Sequence, residues 1–178
     1  MSKHVVKFEL SVSSVENALK ELERYSKRFM VAADIFAMKL ATLGVKQIDE
    51  TIAGNSAHDE NASMEHSTTY RRVEGSGTHV VYEVVLFGSQ VLFIEFGAGV
   101  YWNDHALHSS IHPKGAELGY TIGDYGMGQG AKNVWAYREG GEWFATTGQR
   151  AACAIPAAMN MMRQNILNAA QEAWRQAG

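Results

Sequence analysis

Three histidines and an aspartate that lie close together are the residues in this chain most suggestive of chemistry. They are Asp104, His105, His108 and His112, and imidazole and carboxylate groups are common zinc ligands. On a continuous helix the histidine spacing would place the ligands on one face. However, the segment has no H-E-x-x-H motif, and Pro113 argues against a long helix. A metal-dependent hydrolase is therefore the alternative interpretation, and we expect histidines exposed on a loop, with no metal and no cofactor.

The glycine-dense segment 119–130, GYTIGDYGMGQG, resembles a phosphate-binding loop only in composition. It lacks the G-K-[ST] ending of a Walker loop and the G-x-G-x-x-G of a dinucleotide site. Glycine here favours turns and close backbone approach, which leaves Tyr120 and Tyr125 as exposed contact residues. We expect contact with another protein rather than nucleotide binding.

Glu95 is a carboxylate inside the apolar run VLFIEF, where burial without a partner would be costly. The sequence offers two kinds of partner, Arg150 or backbone amides of the glycine-rich loop. Structural pairing is favoured over catalysis because no motif links Glu95 to a second catalytic group. The run itself is too short for its periodicity to distinguish a strand from a short helix capped by Ser89.

Composition excludes several classes of function. The chain has 178 residues, of which 46% are hydrophobic, a net charge of −3 and a single cysteine, Cys153. The acidic balance argues against general nucleic-acid affinity, so a DNA-binding module using Arg71, Arg72 and Lys132 is a third, weaker interpretation. No apolar run is long enough to span a bilayer, and no targeting segment is recognisable. We expect folding in the cytoplasm and no membrane partner.

Periodicity predicts an α+β fold in one domain, 1–178. A long N-terminal helix or helix pair and a C-terminal helix would pack on a curved, mostly antiparallel sheet with a long glycine-rich loop. The predicted elements are a strand in 1–12, a helical segment at 13–52, a loop at 53–68, a hairpin and anchoring turn at 69–96, a long loop at 97–133, a hairpin at 134–148 and a C-terminal helix at 155–175.

The helical segment 13–52 carries apolar residues at three- and four-residue spacing, beginning Val15, Leu19 and Leu22. Ser13 and Glu16 match a capping box at its start. Gly44 indicates a bend or a close approach, and a break near 25–27 would give two helices. From Phe29 onward the apolar face widens, and this second half of the helix could be covered by the chain's own sheet, by a neighbouring subunit, or by both.

Three parts of the chain resemble the small head–tail joining, tail-completion and minor tail proteins of long-tailed bacteriophages. FIEFGAG at 93–99 is similar to the family's IEFGTG motif, with Ala98 in place of threonine. Segment 119–148 resembles the insertion and hairpin of one branch, and AIPAAMNMM at 154–162 resembles the start of the closing helix.

This resemblance implies a non-enzymatic structural protein of a phage or prophage particle, assembled in the host cytoplasm and located in the virion. It implies a ring of identical subunits, commonly sixfold, around the DNA passage at the head–tail junction or tail end. Its partners would be itself, neighbouring neck or tail proteins and, transiently, the passing DNA. The interface residues expected from the central stretch are Phe93, Glu95, Phe96, Tyr101, Trp102, Tyr120 and Tyr125.

Overall fold

The computed structural model describes residues 6–7, 9–55, 65–73, 79–97, 135–146 and 151–178. They form four helices and four strands. The elements are α1 (Val12–Asn55), β1 (Ser67–Val73), β2 (Val81–Phe87), α2 (Val91–Phe96), β3 (Trp135–Glu139), β4 (Glu142–Thr146), α3 (Ala154–Gln164) and α4 (Ile166–Gln176).

The predicted α+β class is confirmed. β1 pairs with β2, and β3 pairs with β4 in an antiparallel hairpin whose register places Trp135 opposite Thr146 and Glu139 opposite Glu142. The hairpin turns at Gly140 and Gly141, both at positive φ, which glycine adopts without strain. The strands described therefore form two small sheets rather than one larger sheet.

The predicted N-terminal helical segment is one continuous helix of 44 residues, so the helix-pair alternative is wrong. Its start also differs from the predicted Ser13–Glu16 capping box. The hydroxyl of Ser11 accepts from the amide of Ser14 at 3.3 Å, and the hydroxyl of Ser14 accepts from the amide of Glu9 at 2.9 Å. These two bonds satisfy the amides of Ser14 and Glu9 at the helix entrance, and α1 begins at Val12, two residues earlier than a Ser13 cap would place its start.

The chain divides into two packing units. The first comprises Met1–Leu40, Arg72–Tyr82 and Asn165–Gly178, and the second comprises Ala41–Arg71 and Glu83–Gln164. The prediction of a single domain stays a prediction, since a packing unit is not an independent domain by itself.

The second packing unit contains the main hydrophobic cluster. Its buried members come from α1, α2 and α3, with Val84, Leu86 and Ala152 packed against them: Ile48, Ile52, Ile94, Ala154 and Ala158. Gly44 lies in this unit at a close approach, as predicted. A β-carbon there would lie 3.0 Å from Sδ of Met162 and 3.2 Å from Cγ2 of Val84, so only glycine fits without displacement.

The first packing unit joins the first part of α1 to α4. The guanidinium of Arg28 lies 4.3 Å from the ring centroid of Trp174 and donates to the Trp174 carbonyl at 3.1 Å. That carbonyl belongs to the last turn of α4, where acceptors lack partners within the helix and a cation is favourable. Tyr25 packs on the same tryptophan with ring centroids 5.6 Å apart.

The predicted C-terminal helix 155–175 is two helices that meet at Asn165. Asn165 has φ −101° and ψ 4°, outside helical values, and its carbonyl accepts from Ala169 as α4 begins. At the other end of the chain, in the predicted first strand 1–12, the described residues Val6, Lys7, Glu9, Leu10 and Ser11 lie outside any strand or helix, and Val12 is the first residue of α1. The remainder of that strand, most of the polar loop 53–68 and the long loop after Gly97 lie outside the described residues.

Candidate functional site

Glu95 is the most deeply buried charged side chain among the described residues, at 2% exposure. The run VLFIEF forms the short helix α2, and this places Glu95 in its last turn. The N-cap of α2 is Gln90 without a side-chain hydrogen bond, so the predicted Ser89 cap is wrong. The C-cap of α2 is Gly97, whose φ of 77° suits glycine and whose amide donates to the Phe93 carbonyl.

The carboxylate of Glu95 accepts from the first amides of α3. The amide of Ala154 donates to Oε2 at 2.9 Å, and the amide of Ile155 donates to Oε1 at 3.2 Å. The other backbone groups at this helix start are also accounted for, because the Cys153 amide donates to the Glu95 carbonyl and Pro156 has no N–H. Glu95 therefore caps a helix that begins 59 residues later in the chain.

The predicted pairing of Glu95 with backbone amides is thus confirmed in kind, but the amides belong to α3 rather than to the glycine-rich loop. The other predicted partner, Arg150, lies outside the described residues. A negative charge at a helix N-terminus is favourable because the backbone dipoles leave partial positive charge there. Proline in the first turn also fits the predicted place of Pro156.

Cys153 immediately precedes α3 and has a strained backbone conformation, with φ at 51°. Two main-chain hydrogen bonds join this segment to α2. The amide of Ala152 donates to the Ile94 carbonyl at 2.8 Å, and the amide of Cys153 donates to the Glu95 carbonyl at 3.3 Å. Burial, and to a smaller extent the Glu95 carboxylate, raise the pKa of the Cys153 thiol from 9.0 to about 11. The thiol is therefore neutral at physiological pH and a poor nucleophile, which agrees with its predicted packing role.

The α2–α3 junction is built for packing rather than for acid–base chemistry. Both oxygens of Glu95 accept from main-chain donors, and the neighbouring amide of Ala154 is fully buried. A general base needs access to a substrate proton, which this arrangement does not give. The junction is best described as a clamp that fixes the start of α3.

A second feature is an uncovered apolar face on the first part of α1, which we call the α1 stripe. Leu19, Leu22 and Phe29 remain 55%, 49% and 59% exposed, and Val12 and Val15 continue the same face. The spacing of these residues matches one side of a helix. The stripe thus exposes large apolar side chains contiguously, which in a protein surface marks a site of association.

The two edges of the α1 stripe differ in chemistry. On one edge the small residues Ala18 and Ala32 are buried, at the side where Arg28 and Tyr25 meet α4. The other edge carries exposed charges of alternating sign, in the order Glu16, Lys20, Glu23 and Lys27. One edge is therefore occupied within the chain, and the other is available to solvent or to a partner.

Of the seven residues predicted for an interface, three lie in the described part of the chain and four lie outside it. Phe93 is partly exposed on α2, whereas Glu95 and Phe96 are buried within the second packing unit. The remaining four, Tyr101, Trp102, Tyr120 and Tyr125, lie outside the described residues. The residues of the α1 stripe are not among those predicted for an interface, because a periodic apolar pattern alone does not show whether a helix face is exposed in the folded chain.

Only some of the other predicted site residues lie in the described part of the chain. Asp104, His105, His108 and His112 lie outside the described residues, as does Lys132. Within the described ranges, no group of three or more His, Cys, Asp or Glu side chains could hold a metal ion. Arg71 pairs with Glu83 at 2.8 Å and Arg72 with Asp34 at 3.1 Å, so carboxylates compensate both arginines proposed for DNA contact.

No protein-family model, no curated protein and no solved structure matches this chain. None of the helices in the described ranges combines the length and apolarity needed to cross a membrane.

Proposed function

We propose that this chain is a non-enzymatic structural protein of a phage or prophage particle, forming or completing a ring at the head–tail junction or tail end. The α1 stripe carries the proposal, because its large apolar side chains are exposed on α1 in the part of the chain that the structure describes. An assembling subunit needs such a face for its neighbour. The resemblance of 93–99 and 154–162 to phage neck and tail proteins supports the choice of particle.

The clamp between α2 and α3 is consistent with the same role. It fixes Ile94 and Glu95 to the start of α3 through hydrogen bonds from main-chain amides. A subunit in a ring must hold its surfaces in a constant geometry while neighbours bind, and a buried charged cap serves that end. Neighbouring neck or tail proteins would then meet exposed residues such as Phe93.

Particles from the strain that encodes the chain test the proposal. Purified virions should contain the protein at a fixed ratio to the capsid protein, measured by quantitative mass spectrometry, and electron microscopy should place a tag on it at the neck or tail end. Its absence from intact particles would refute the proposal.

Variants connect the test to the α1 stripe. The double substitution Leu22→Ser and Phe29→Ser should leave the folded chain intact, since both side chains are already largely exposed, yet prevent its incorporation into particles. The matched control is Leu167→Ser on α4, an exposed leucine outside the stripe, which should be incorporated normally.

A further inference from the structure

Helix α2 is too short to be stable by itself. It has six residues, Val91–Phe96, whereas isolated helices shorter than about 12–15 residues are marginal in water. Its N-cap, Gln90, makes no side-chain hydrogen bond that would support the first turn. The helical form of α2 therefore depends on contacts with other parts of the chain.

The hydrogen bonds of the clamp satisfy one end of α2 and one end of α3 at the same time. The last carbonyls of a helix lack partners within it, and in α2 the carbonyls of Ile94 and Glu95 accept from the amides of Ala152 and Cys153. In return, the Glu95 carboxylate accepts from the first amides of α3. Each helix thus caps the other, so unfolding of either one removes a cap from its neighbour.

Cys153 lies between these two sets of hydrogen bonds and has a positive φ of 51°. This conformation is unfavourable for a residue that carries a β-carbon, and it persists only where the surrounding contacts impose it. The closed clamp therefore stores backbone strain, which is released when the clamp opens. Strain of this kind is found in elements that alternate between two states.

A different contact holds the second half of α3. Met162 packs against Gly44 of α1, where a β-carbon would lie 3.0 Å from Sδ of Met162 and 3.2 Å from Cγ2 of Val84. This contact joins α3 to α1 and β2, and it does not require the clamp. The start of α3 can therefore separate from α2 while the rest of the helix stays packed on α1.

We propose that the clamp is a two-state element, in which α2 and the first turn of α3 open together at a lower free energy than unfolding of the whole chain. In the open state Cys153 relaxes to a negative φ and α2 loses its helical form. The side chains of Ile94 and Phe96, which are 0% and 2% exposed in the closed state, then become accessible. Burial of these two side chains makes the closed state predominant.

This inference goes beyond the proposed function, because it concerns a motion of the free chain and holds whatever the particle contains. The closed clamp supplies the constant geometry that a ring subunit needs, and the open clamp is a minor state of the same chain.

Native-state hydrogen exchange of the full-length chain tests the proposal, resolved by NMR at each amide and repeated at increasing urea below the unfolding midpoint. The amides of Ile94 and Gly97 should show the same free energy of opening as those of Ala154 and Ile155. Exchange at all four should respond weakly to urea, because local opening exposes little surface, whereas amides in the middle of α1 should respond steeply. Exchange of the four amides only through global unfolding, or different opening free energies in α2 and α3, would overturn the proposal.

The variant Glu95→Gln tests whether the two helices are coupled. It weakens the side-chain bonds to the amides of Ala154 and Ile155 directly, but it leaves the main-chain bonds of Ile94 and Gly97 in place. If the clamp opens as one unit, exchange at all four amides should accelerate by the same factor, about tenfold or more. Acceleration confined to Ala154 and Ile155 would show that α2 and α3 open independently.

Gly44→Ala is the matched control for the separate opening. It should lower the midpoint of urea unfolding, because the added β-carbon disturbs the contact with Met162. Exchange at the clamp amides should nevertheless stay unchanged, since opening of the clamp leaves that contact intact. Clamp amides that accelerate in step with the loss of global stability would refute the separate opening.

Two variants that both lack the thiol test the strain at Cys153. Cys153→Gly accepts a positive φ without strain, whereas Cys153→Ala keeps a β-carbon and therefore the strain. Exchange at the clamp amides should be about threefold or more slower in Cys153→Gly than in Cys153→Ala, because glycine stabilises the closed state. Equal exchange in the two variants would contradict the stored strain.

Discussion

Removing the charge of Glu95 is the sharpest test of how the second packing unit is held together. Glu95→Gln keeps the side chain's shape, but its amide group can accept on one oxygen only and turns N–H donors toward the amide of Ala154 or Ile155. An oxygen in the Oε2 position keeps the bond from Ala154 and leaves Ile155 only its longer contact of 3.4 Å, whereas an oxygen in the Oε1 position leaves the buried Ala154 amide without an acceptor. The variant therefore separates the charge and hydrogen bonds of the cap from its packing.

The magnitude follows from the contacts. Hydrogen bonds to a charged group contribute about 1.5–3 kcal/mol each, and an unsatisfied buried donor costs about 1–3 kcal/mol. One bond of the pair to Ala154 and Ile155 is lost in Glu95→Gln, so we expect a decrease of about 2 kcal/mol in the free energy of unfolding. Glu95→Ala loses both bonds and leaves a void, and should cost about 3–5 kcal/mol.

Urea denaturation followed by circular dichroism measures the total loss, and hydrogen exchange locates it. Exchange should accelerate first in peptides that cover 151–164, because the amides of Ala154 and Ile155 lose their acceptor. Glu142→Gln, an exposed carboxylate on β4, is the matched control and should change stability by less than about 0.5 kcal/mol. If Glu95→Gln behaves like this control, the cap is not what holds α3.

Three further predictions concern single residues. Gly54→Ala should stabilise the chain by up to about 1 kcal/mol in urea denaturation, because nothing lies near its β-carbon position, whereas Gly44→Ala should be destabilising despite the same gain in helix propensity. A Gly44→Ala variant as stable as Gly54→Ala would contradict the close approach. Cys153 should react with Ellman's reagent at pH 8 about a hundredfold more slowly in the folded than in the unfolded chain, because its raised pKa suppresses the thiolate. Because folding raises this pKa, the neutral thiol stabilises the folded chain fully below pH 9, and this stabilisation is lost as the pH rises toward 11. Urea titrations from pH 8 to 11 can follow the loss. Equal reactivity of the thiol in the folded and unfolded chain would refute the raised pKa. Arg28→Lys should lower stability by about 1–2 kcal/mol through lost stacking and hydrogen bonding, while the exposed Arg24→Lys should have no measurable effect; equal effects would refute the α4 cap.

The apolar periodicity of the sequence was sufficient to predict helix α1 but not the residue at which it begins. The helix itself follows from apolar residues repeating every three or four positions, a signal that accumulates over its whole length. Its first residue depends on which of several nearby serines bonds the free amides, and Ser11 and Ser14 do so instead of Ser13. Such alternatives differ by one hydrogen bond, so spacing alone does not separate them.

The structure of VLFIEF depended on a contact distant in sequence. Its helical form places the Glu95 carboxylate and carbonyl against the start of α3, and no property of the six residues predicts which amides will be there. The free-energy cost of burying an unpaired carboxylate correctly predicted that Glu95 has a partner, but it could not identify that partner. The break of the C-terminal helix at Asn165 was missed because asparagine is only a weak helix breaker.

Exposure is what turned the amphipathic pattern of α1 into a functional hypothesis. The pattern of Leu19, Leu22 and Phe29 alone predicts core residues, whereas in the folded chain all three side chains are exposed. An apolar side chain left in water forgoes about 25 cal/mol for each square ångström it could bury. A neighbouring subunit that covers this face, as the proposed ring requires, would recover that free energy.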